Sequence, residues 1–296
     1  MAELKHIGFV GYGMLACPMG KRLRNAGHEI FFFTPSGKSN DSLATSCASP
    51  EALTKECSVI ILCVPNDKAI KKTVLKKNGL LTSMSKGNLL INMSSVSPKT
   101  NKKLAKACKR KQINFLECPV SGSVPEAETG QLVCLAGGKK KTLEEARPIL
   151  EIISKKICHI GSIGTASSIK LIINSIMGAG TTCLAEGITY GLAVGLDRDI
   201  LCNTLQEVAV ISPHHKRKLN AAQQDNIPLQ FATSLMCKDL KLFVKECLDY
   251  SVPIPTLANV AQTYEWNNRL FPKEDYSILL DNLPKAIMKA ASKKKQ

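Results

Sequence analysis

The fold is decided by residues 6–33, which read HIGFVGYGMLACPMGKRLRNAGHEIFFF. A short apolar run, from His6 to Val10, leads directly into a glycine-rich turn. A helical pattern of apolar residues follows, ends at Gly27 and passes into a second apolar run. The stretch therefore predicts a strand, a tight turn, a helix and a second strand in succession.

The glycine turn has the spacing G-x-G-x-x-A, which in this context is typical of a dinucleotide-binding loop. Gly11 permits the tight turn, Gly13 lets a pyrophosphate approach the backbone, and Ala16 lets the helix pack closely on the strand. The helix N-terminus offers N–H groups to the phosphates. An ordinary strand-to-helix turn is the alternative. The residues predicted to bind the cofactor here are Gly11, Tyr12, Gly13, Met14 and Leu15.

The residues after the second strand indicate which dinucleotide binds. An acid at this point hydrogen-bonds the ribose hydroxyls of NAD and repels the 2′-phosphate of NADP. This chain has no acid there, although the arginine that commonly holds the phosphate is also missing. We predict NADP, with NAD as the alternative. A third possibility is a plain hydrophilic turn that gives no preference for either dinucleotide. The predicted contacts are Thr34, Pro35, Ser36 and Lys38.

Strand and helix patterns then alternate. Apolar runs at residues 58–65, 88–95 and 113–123 predict further strands separated by helices, and short connections of this kind predict a mostly parallel sheet. Ligands of such sheets bind beyond the carboxyl ends of the strands. The candidate residues at these ends, each also compatible with an ordinary turn, are Val64, Pro65, Asn66, Ser94, Ser95, Ser121 and Gly122.

Two more apolar runs, at 131–138 and 155–164, complete the first domain. After residue 163 we find only helical patterns and a basic turn predicted at 212–218. The predicted fold class is α/β: a Rossmann-type, doubly wound dinucleotide-binding domain over residues 1–163, followed by an all-helical domain over residues 164–296 that begins with a long connecting helix.

The long helix lies within residues 161–196, which read GSIGTASSIKLIINSIMGAGTTCLAEGITYGLAVGL. Lys170 and Asn174 stand four residues apart on it, so their side chains share one face in nearly uncharged surroundings. A lysine whose stem crosses apolar surface to reach water is the alternative. We predict that both are catalytic, because an ammonium over a carbonyl stabilises the negative charge that develops during reduction.

Composition limits the remaining possibilities. The scattered cysteines show no metal-ligand spacing and no secretory signal is evident, so we expect no metal and a cytoplasmic location. Lys170 and Glu186 interrupt the apolar run at 161–196, which argues against a membrane span. The net charge of +16 raises a nucleic-acid partner as an alternative. We interpret the lysines as spread along the chain, and we therefore expect no nucleic-acid partner.

Four motifs in register resemble the β-hydroxyacid dehydrogenase family, which contains 3-hydroxyisobutyrate dehydrogenase and the glyoxylate/succinic semialdehyde reductases. The resemblance covers essentially the whole chain. The departures from them are Gly20, Arg22, Ala166 and Ile173, and Ile173 is nearer to the glyoxylate/succinic semialdehyde reductase branch. The matching segments are GYGMLACPMGKRLRNAGH (11–28), ECPVSGS (117–123), GSIGTASSIKLIIN (161–174) and FATSLMCKDL (231–240).

The resemblance implies roles for further residues. It makes Lys170 the acid-base group at the carbonyl and Asn174 a residue that holds the substrate or Lys170. It implies that Asp239 is a partner of Lys170, although Lys238 and Asp239 are equally compatible with a pair on a helix surface. The residues that it assigns to the substrate are Ser121, Gly122, Ser123 and Phe231, and those that it assigns to the cofactor are Ser95 and Lys238.

The predicted function is hydride transfer between NADPH and a small carbonyl compound that carries a carboxylate, of the glyoxylate or succinic semialdehyde type. The alternatives are an NAD-dependent 3-hydroxyisobutyrate dehydrogenase, an imine reductase and a non-catalytic protein that binds partners through its basic surface. Gly187, Gly191 and Gly195 recur every four residues and predict a helix-docking stripe in a homodimer or homotetramer. Packing within the chain is the other explanation of such a stripe.

Overall fold

The computed structural model describes residues 5–37, 39 and 41–293, so Lys38 lies outside the described residues. The chain divides into two compact units, residues 1–170 and residues 171–296. The first is an α/β domain and the second is helical, which confirms the predicted fold class.

The strands of the first unit form one sheet. They are β1 (His6–Val10), β2 (Glu29–Phe33), β3 (Thr45–Ser46), β4 (Val59–Leu62), β5 (Leu89–Asn92), β6 (Asn114–Glu117), β7 (Val120–Ser121), β8 (Leu132–Gly137) and β9 (Ser154–Gly161). Their order is β3-β2-β1-β4-β5-β6-β8-β7, with β9 paired to β8. The pairs from β3 to β6 are parallel, whereas β8 runs antiparallel to β6 and β7. Every residue of β4 and β5 is buried, as expected for strands covered on both faces.

Helices cover both faces of this sheet. They are α1 (Ala16–Asn25), α2 (Pro50–Glu56), α3 (Asp67–Ile70), a π-helical turn (Lys71–Leu75), α4 (Leu80–Ser83), α5 (Pro98–Arg110), α6 (Val124–Thr129) and α7 (Lys140–Ile153). Leu23 of α1 and Leu150 of α7 belong to one buried apolar cluster. Leu53 of α2 and Leu104 of α5 belong to the other, so α2 to α5 form a single layer. The parallel order requires such crossovers, and it places the carboxyl ends of β1, β4 and β5 side by side.

The second unit packs its helices around a buried core that includes Leu240, Tyr264 and Tyr276. The helix that leads into it, α8 (Thr165–Ala193), begins in the first unit. The elements that follow are α9 (Arg198–Glu207), α10 (Pro213–Gln223), α11 (Thr233–Asp249), α12 (Pro255–Leu270), a 3₁₀ turn (Tyr276–Ile278) and α13 (Leu279–Lys293).

The basic turn predicted at residues 212–218 is wrong, because this segment begins a helix. The Ser212 hydroxyl accepts a hydrogen bond from the N–H of His215, and Pro213 occupies the first position of α10. Lys218 is only 5% exposed, and its Nζ lies 2.9 Å from Oδ1 of Asp275. The basic residues around Lys218 indicated a solvated patch. Instead, Lys218 forms a buried ion pair with Asp275, which lies 57 residues away in sequence.

Helix α8 is long and apolar enough to cross a bilayer, but half of its most apolar window is buried inside the protein, as in any core helix. The predicted glycine stripe is not continuous along this helix. A Cβ on Gly191 would lie 2.5 Å from Cδ2 of Leu201, so Gly191 packs within its own unit. Gly195 lies beyond the end of the helix with a positive φ of 87°. Gly187 is exposed.

Candidate functional site

The glycine turn after β1 has the geometry that a phosphate site requires. Gly11 has a φ of +85°, and a Cβ at this position would overlap the carbonyl oxygen of Cys63. Its N–H donates to the carbonyl of Phe33 at 2.9 Å. Gly13 is exposed, and no described atom lies within 4 Å of the position that its Cβ would take. The turn is therefore fixed at Gly11 and open at Gly13.

The N-terminus of α1 is the second part of this site. The position before Ala16, Leu15, makes no side-chain cap, and the first turn holds no acid. The first N–H groups of a helix have no partner inside the helix, and here no side chain caps them. Met14 beside them is 48% exposed. These residues fit a dinucleotide pyrophosphate at the helix end.

Tyr12 lies in the turn, but its side chain points into the core. The ring is stacked on Phe32 at 5.0 Å between centroids, and its hydroxyl donates to Oδ2 of Asp41 at 2.9 Å. Burial and this hydrogen bond raise the pKa of Tyr12 well above its usual value. A Cβ on Gly20 would overlap the tyrosine ring, which accounts for the glycine at that departure from the family motif. Only the backbone of Tyr12 is placed for cofactor binding.

The end of β2 offers hydroxyls and no accessible carboxylate. Oγ1 of Thr34 lies 3.3 Å from Oγ of Ser36, which is exposed. The first acid after β2 is Asp41, which is buried and paired with Arg24 at 2.7 Å. Burial opposes ionisation of Asp41, but the hydrogen bonds from Arg24 and Tyr12 outweigh it and lower its pKa. Asp41 is therefore committed to the fold and not available to a ribose.

The carboxyl ends of β4 and β5 are tied together. The N–H of Val64 donates to Oγ of Ser94 at 2.9 Å, and that hydroxyl donates to the carbonyl of Leu62 at 3.2 Å. Oδ1 of Asn66 accepts from the N–H of Ala69 and caps α3. Ser94 and Asn66 therefore shape this edge, while the half-buried Ser95 lies next to it.

The predicted substrate loop after β7 divides into two roles. Both the N–H and the hydroxyl of Ser123 donate to Oε2 of Glu126 at 2.8 Å, in a capping box that begins α6. Gly122 has a φ of +125°, and its Cβ would lie 2.8 Å from Cδ2 of Leu132. Ser123 is thus used structurally, and half-buried Ser121 with the Gly122 backbone is the part of the loop left for a carboxylate.

The start of α8 is held by Glu117, a residue that sequence analysis placed in a motif but gave no role. Its side chain is fully buried at the end of β6. Oε1 accepts from the N–H of Ala166 at 2.8 Å, and Oε2 accepts from the hydroxyl of Ser167 at 3.2 Å. Burial raises the pKa of Glu117 despite these hydrogen bonds. The sequence signal for this role was an acidic residue within an apolar strand, because acids are almost never fully buried unless they are paired.

A buried chain of amides continues from Ser167 to the sheet edge. Nδ2 of Asn101 donates to Oγ of Ser167 at 2.6 Å, and Nδ2 of Asn92 donates to Oδ1 of Asn101 at 2.7 Å. The N–H of Ser94 then donates to Oδ1 of Asn92 at 3.1 Å. The first turn of α8 is therefore bonded to the carboxyl end of β5. Lys170, half-buried, follows this fixed turn on the same helix.

Asn174 lies one turn after Lys170 and is 1% exposed. Its Nδ2 donates to Oδ2 of Asp239 at 2.6 Å, and Nζ of Lys238 lies 2.7 Å from Oδ1 of the same carboxylate. Asp239 is buried, so the reading of Lys238 and Asp239 as a helix-surface pair is wrong. Oδ1 of Asn174 has no hydrogen-bond partner among the described residues. The pairing of Asp239 with Lys170 stays a prediction.

Phe231 precedes α11 in the second unit and is half-buried. Its ring meets Tyr276 edge-on at 6.1 Å, and its N–H donates to Oδ2 of Asp275 at 3.0 Å. The buried pair of Lys218 and Asp275 therefore fixes the segment that carries Phe231. Its role in binding the substrate stays a prediction.

Comparison with known families matches both parts of the chain. Residues 6–161 match the NAD binding domain of 6-phosphogluconate dehydrogenase. Residues 164–283 match the NAD-binding region of NADP-dependent 3-hydroxyisobutyrate dehydrogenase.

Individual proteins are also similar to this chain. The chloroplastic glyoxylate/succinic semialdehyde reductase 2 of Arabidopsis thaliana is 30% identical over 95% of this chain and 80% of its own length. Glyoxylate/succinic semialdehyde reductase 1 of the same plant is 30% identical over 88% of this chain and 91% of its own. The structure of Mycobacterium tuberculosis 3-hydroxyisobutyrate dehydrogenase with L-serine superposes with a TM-score of 0.82 at 24% identity, covering 95% of this chain and 99% of that one, and shows the same fold.

Replacement of Glu117 tests whether it holds α8. Glu117→Ala leaves the Ala166 N–H and the Ser167 hydroxyl without their acceptor in a buried site, and we expect a loss of roughly 1–3 kcal/mol in the free energy of unfolding. Glu117→Gln keeps one acceptor oxygen and should lose less. Urea denaturation measures both. Glu128→Ala, at an exposed position of α6, is the control and should change stability by less than about 0.5 kcal/mol. Equal stability of Glu117→Ala and the unmodified protein would contradict the assignment.

Proposed function

The chain belongs to the β-hydroxyacid dehydrogenase family of NAD(P)-dependent enzymes, and we propose that it transfers a hydride between NADPH and a small aldehyde or keto acid that carries a carboxylate. The proposed substrates are of the glyoxylate or succinic semialdehyde type, after the names of the two plant relatives. An NAD-dependent 3-hydroxyisobutyrate dehydrogenase is the alternative.

The observation that carries the proposal is the placement of Lys170 and Asn174 on α8. The helix is fixed at its start by Glu117, and these two side chains follow on one face, a single turn apart. Oδ1 of Asn174 is buried without a partner among the described residues, and such an acceptor costs stability unless a ligand or neighbouring donor satisfies it. A substrate hydroxyl is a donor of the required kind.

The chain's residues fit a dinucleotide at the end of β1. Gly11 provides the turn, Gly13 leaves space, and the uncapped N-terminus of α1 supplies N–H donors to the pyrophosphate. When bound, the cofactor supplies or accepts the hydride. The hydroxyls of half-buried Thr34 and exposed Ser36, together with the pairing of Asp41 with Arg24, support NADP rather than NAD.

The remaining steps use this chain's own groups. The ammonium of Lys170 stabilises the developing alkoxide and gives it a proton in the direction of reduction. Asn174, held by Asp239, orients the substrate hydroxyl or Lys170 itself. Ser121 and the N–H of Gly122 bind the substrate carboxylate and so select acids over plain aldehydes.

The predicted homodimer or homotetramer and the cytoplasmic location are also proposals. All twelve cysteines are free thiols, which supports a reducing compartment. Helix α8 exposes large apolar side chains, among them Ile176 at 62% and Tyr190 at 70%. Exposed apolar area of this kind supports association.

Light scattering at micromolar concentration tests association. We expect a mass of at least twice that of the 32.1 kDa chain. Tyr190→Lys together with Ile176→Lys should shift the mass toward the monomer, because each places a charge on the apolar face. A monomeric mass for the unmodified protein would end the proposal.

Cofactor preference is tested at Ser36. Ser36→Asp places a carboxylate where the 2′-phosphate is proposed to bind, so kcat/KM with NADPH should fall by at least about tenfold while that with NADH changes little. Lys38→Ala should weaken NADPH in the same selective way. Ser83→Asp, on α4, is the control and should leave the ratio unchanged. Equal use of both cofactors by the unmodified enzyme would refute the preference.

The role of Lys170 is tested by turnover with NADPH and a panel of glyoxylate, succinic semialdehyde and methylmalonate semialdehyde. Lys170→Ala should lower kcat by at least the roughly 10²-fold typical of a lost acid-base group, while NADPH still binds. Lys170→Arg should not restore it, because guanidinium stays protonated and its planar fork does not match a single carbonyl oxygen. Lys109→Ala is the matched control and should change little. Turnover by Lys170→Ala within a few-fold of the unmodified enzyme would show that the lysine is only a surface residue.

A further inference from the structure

Positive charge is concentrated in one layer of the first unit. Between Glu56 and Glu117 the sequence has thirteen lysine or arginine residues and one acid, Asp67, which is a net +12 of the +16 carried by the whole chain. The lysines are spread along the chain, as interpreted, but in this segment acids do not balance them, so the net charge is concentrated here.

All thirteen cations are exposed on α3, the π-helical turn, α4, α5 and their connections, and we call this surface the basic face. The same helices turn Ile70, Val74, Leu104 and Cys108 inward to the buried cluster. The apolar and charged sides of the layer are thus separated. The residues of the basic face are Lys68, Lys71, Lys72, Lys76, Lys77, Lys86, Lys99, Lys102, Lys103, Lys106, Lys109, Arg110 and Lys111.

The helices of the basic face are joined at both ends. The hydroxyl of Ser97, which caps α5, donates to Oδ1 of Asp67 in α3 at 2.8 Å. At the far end, Nζ of Lys111 donates to the carbonyl of Thr82 in α4 at 3.0 Å. Asp67, the one acid between Glu56 and Glu117, is therefore occupied by Ser97. Within the described residues, none of the thirteen cations lies within ion-pair distance of a carboxylate.

We propose that the basic face binds the phosphodiester backbone of duplex nucleic acid without regard to sequence, as an activity separate from hydride transfer. Twelve of the thirteen cations are lysines, which meet phosphates as point charges rather than through the planar fork of arginine. On α5, Lys99, Lys103, Lys106 and Arg110 recur at i, i+4, i+7 and i+11 and form one stripe along a helix about 20 Å long.

Other polyanions fit this surface less well. No large apolar side chain is exposed between residues 57 and 116, all of which are described. An anionic membrane surface is bound stably through basic residues together with an apolar or lipid anchor, and a protein partner through an apolar centre. Single strands are bound by stacking bases on exposed aromatic rings, which this face lacks. A regular array of phosphates needs only the cations.

The test is fluorescence anisotropy of a labelled duplex of about 24 base pairs, with the full chain and saturating NADPH present. With six phosphates contacted, the affinity should fall by about 10³-fold between about 50 and about 200 mM salt. The variant carries Lys99→Gln, Lys103→Gln, Lys106→Gln and Arg110→Gln. It should bind at least about tenfold more weakly, and the slope of log affinity against log salt should lose about 3 to 4 in magnitude. Its turnover should equal that of the unmodified enzyme.

The matched control removes four positive charges outside the basic face, at Lys140 and Lys141 of α7 and Lys155 and Lys156 of β9, each changed to Gln. It should keep duplex affinity within about threefold, because the basic face is intact. An equal loss in both variants would show that net charge, not this face, is responsible, and would overturn the proposal. So would loss of binding when NADPH is added, tighter binding to phosphatidylserine vesicles than to the duplex, or no duplex binding at about 50 mM salt.

Discussion

The buried carboxylate of Glu117 is the constraint on which the candidate site depends. Taking a carboxylate out of water is costly, and its raised pKa records that cost. The N–H groups of Ala166 and Ser167 offset it, since they are the unpaired donors at the positive end of α8. The carboxylate and the helix end therefore satisfy each other. In consequence the strand that leads to Ser121 and the helix that carries Lys170 are fixed by one group.

The same logic extends along the sheet edge. Asn92, Asn101 and Ser167 are buried polar residues that would destabilise the domain if left without partners, and each bonds to the next. Ser94 continues the network to the loop after β4. The loops that follow parallel strands are usually the mobile part of such a domain. Here buried hydrogen bonds tie these loops together at the edge where we propose that a cofactor and a substrate bind.

The parts predicted from sequence are those set by local chemistry. The glycine turn could be predicted because Gly11 has a positive φ and Gly13 leaves open space. Glycine is the residue type that meets both requirements, so the spacing of the glycines indicates the turn. The burial of the Tyr12 side chain could not be predicted from the sequence, because it depends on a hydrogen bond to Asp41, 29 residues away. The burial of Lys218 likewise depends on a carboxylate 57 residues on, and the role of Glu117 on a helix end 49 residues on. Partners distant in sequence decide whether a charged residue faces water.

In the layer that carries the basic face, the inner sides of the helices pack on the core and the outer sides carry the charge. The inner sides of α3 to α5 are fixed by the core, while the outer sides make no contact that the sheet requires. Thirteen like charges on one surface repel each other and lower the stability of the compact state. A bound polyanion removes that repulsion and releases its own counterions. The proposed cofactor site differs, because it consists of backbone N–H groups at the end of α1, in the other helical layer. In our proposals the fold therefore binds a single pyrophosphate at one layer and a repeating phosphodiester at the other.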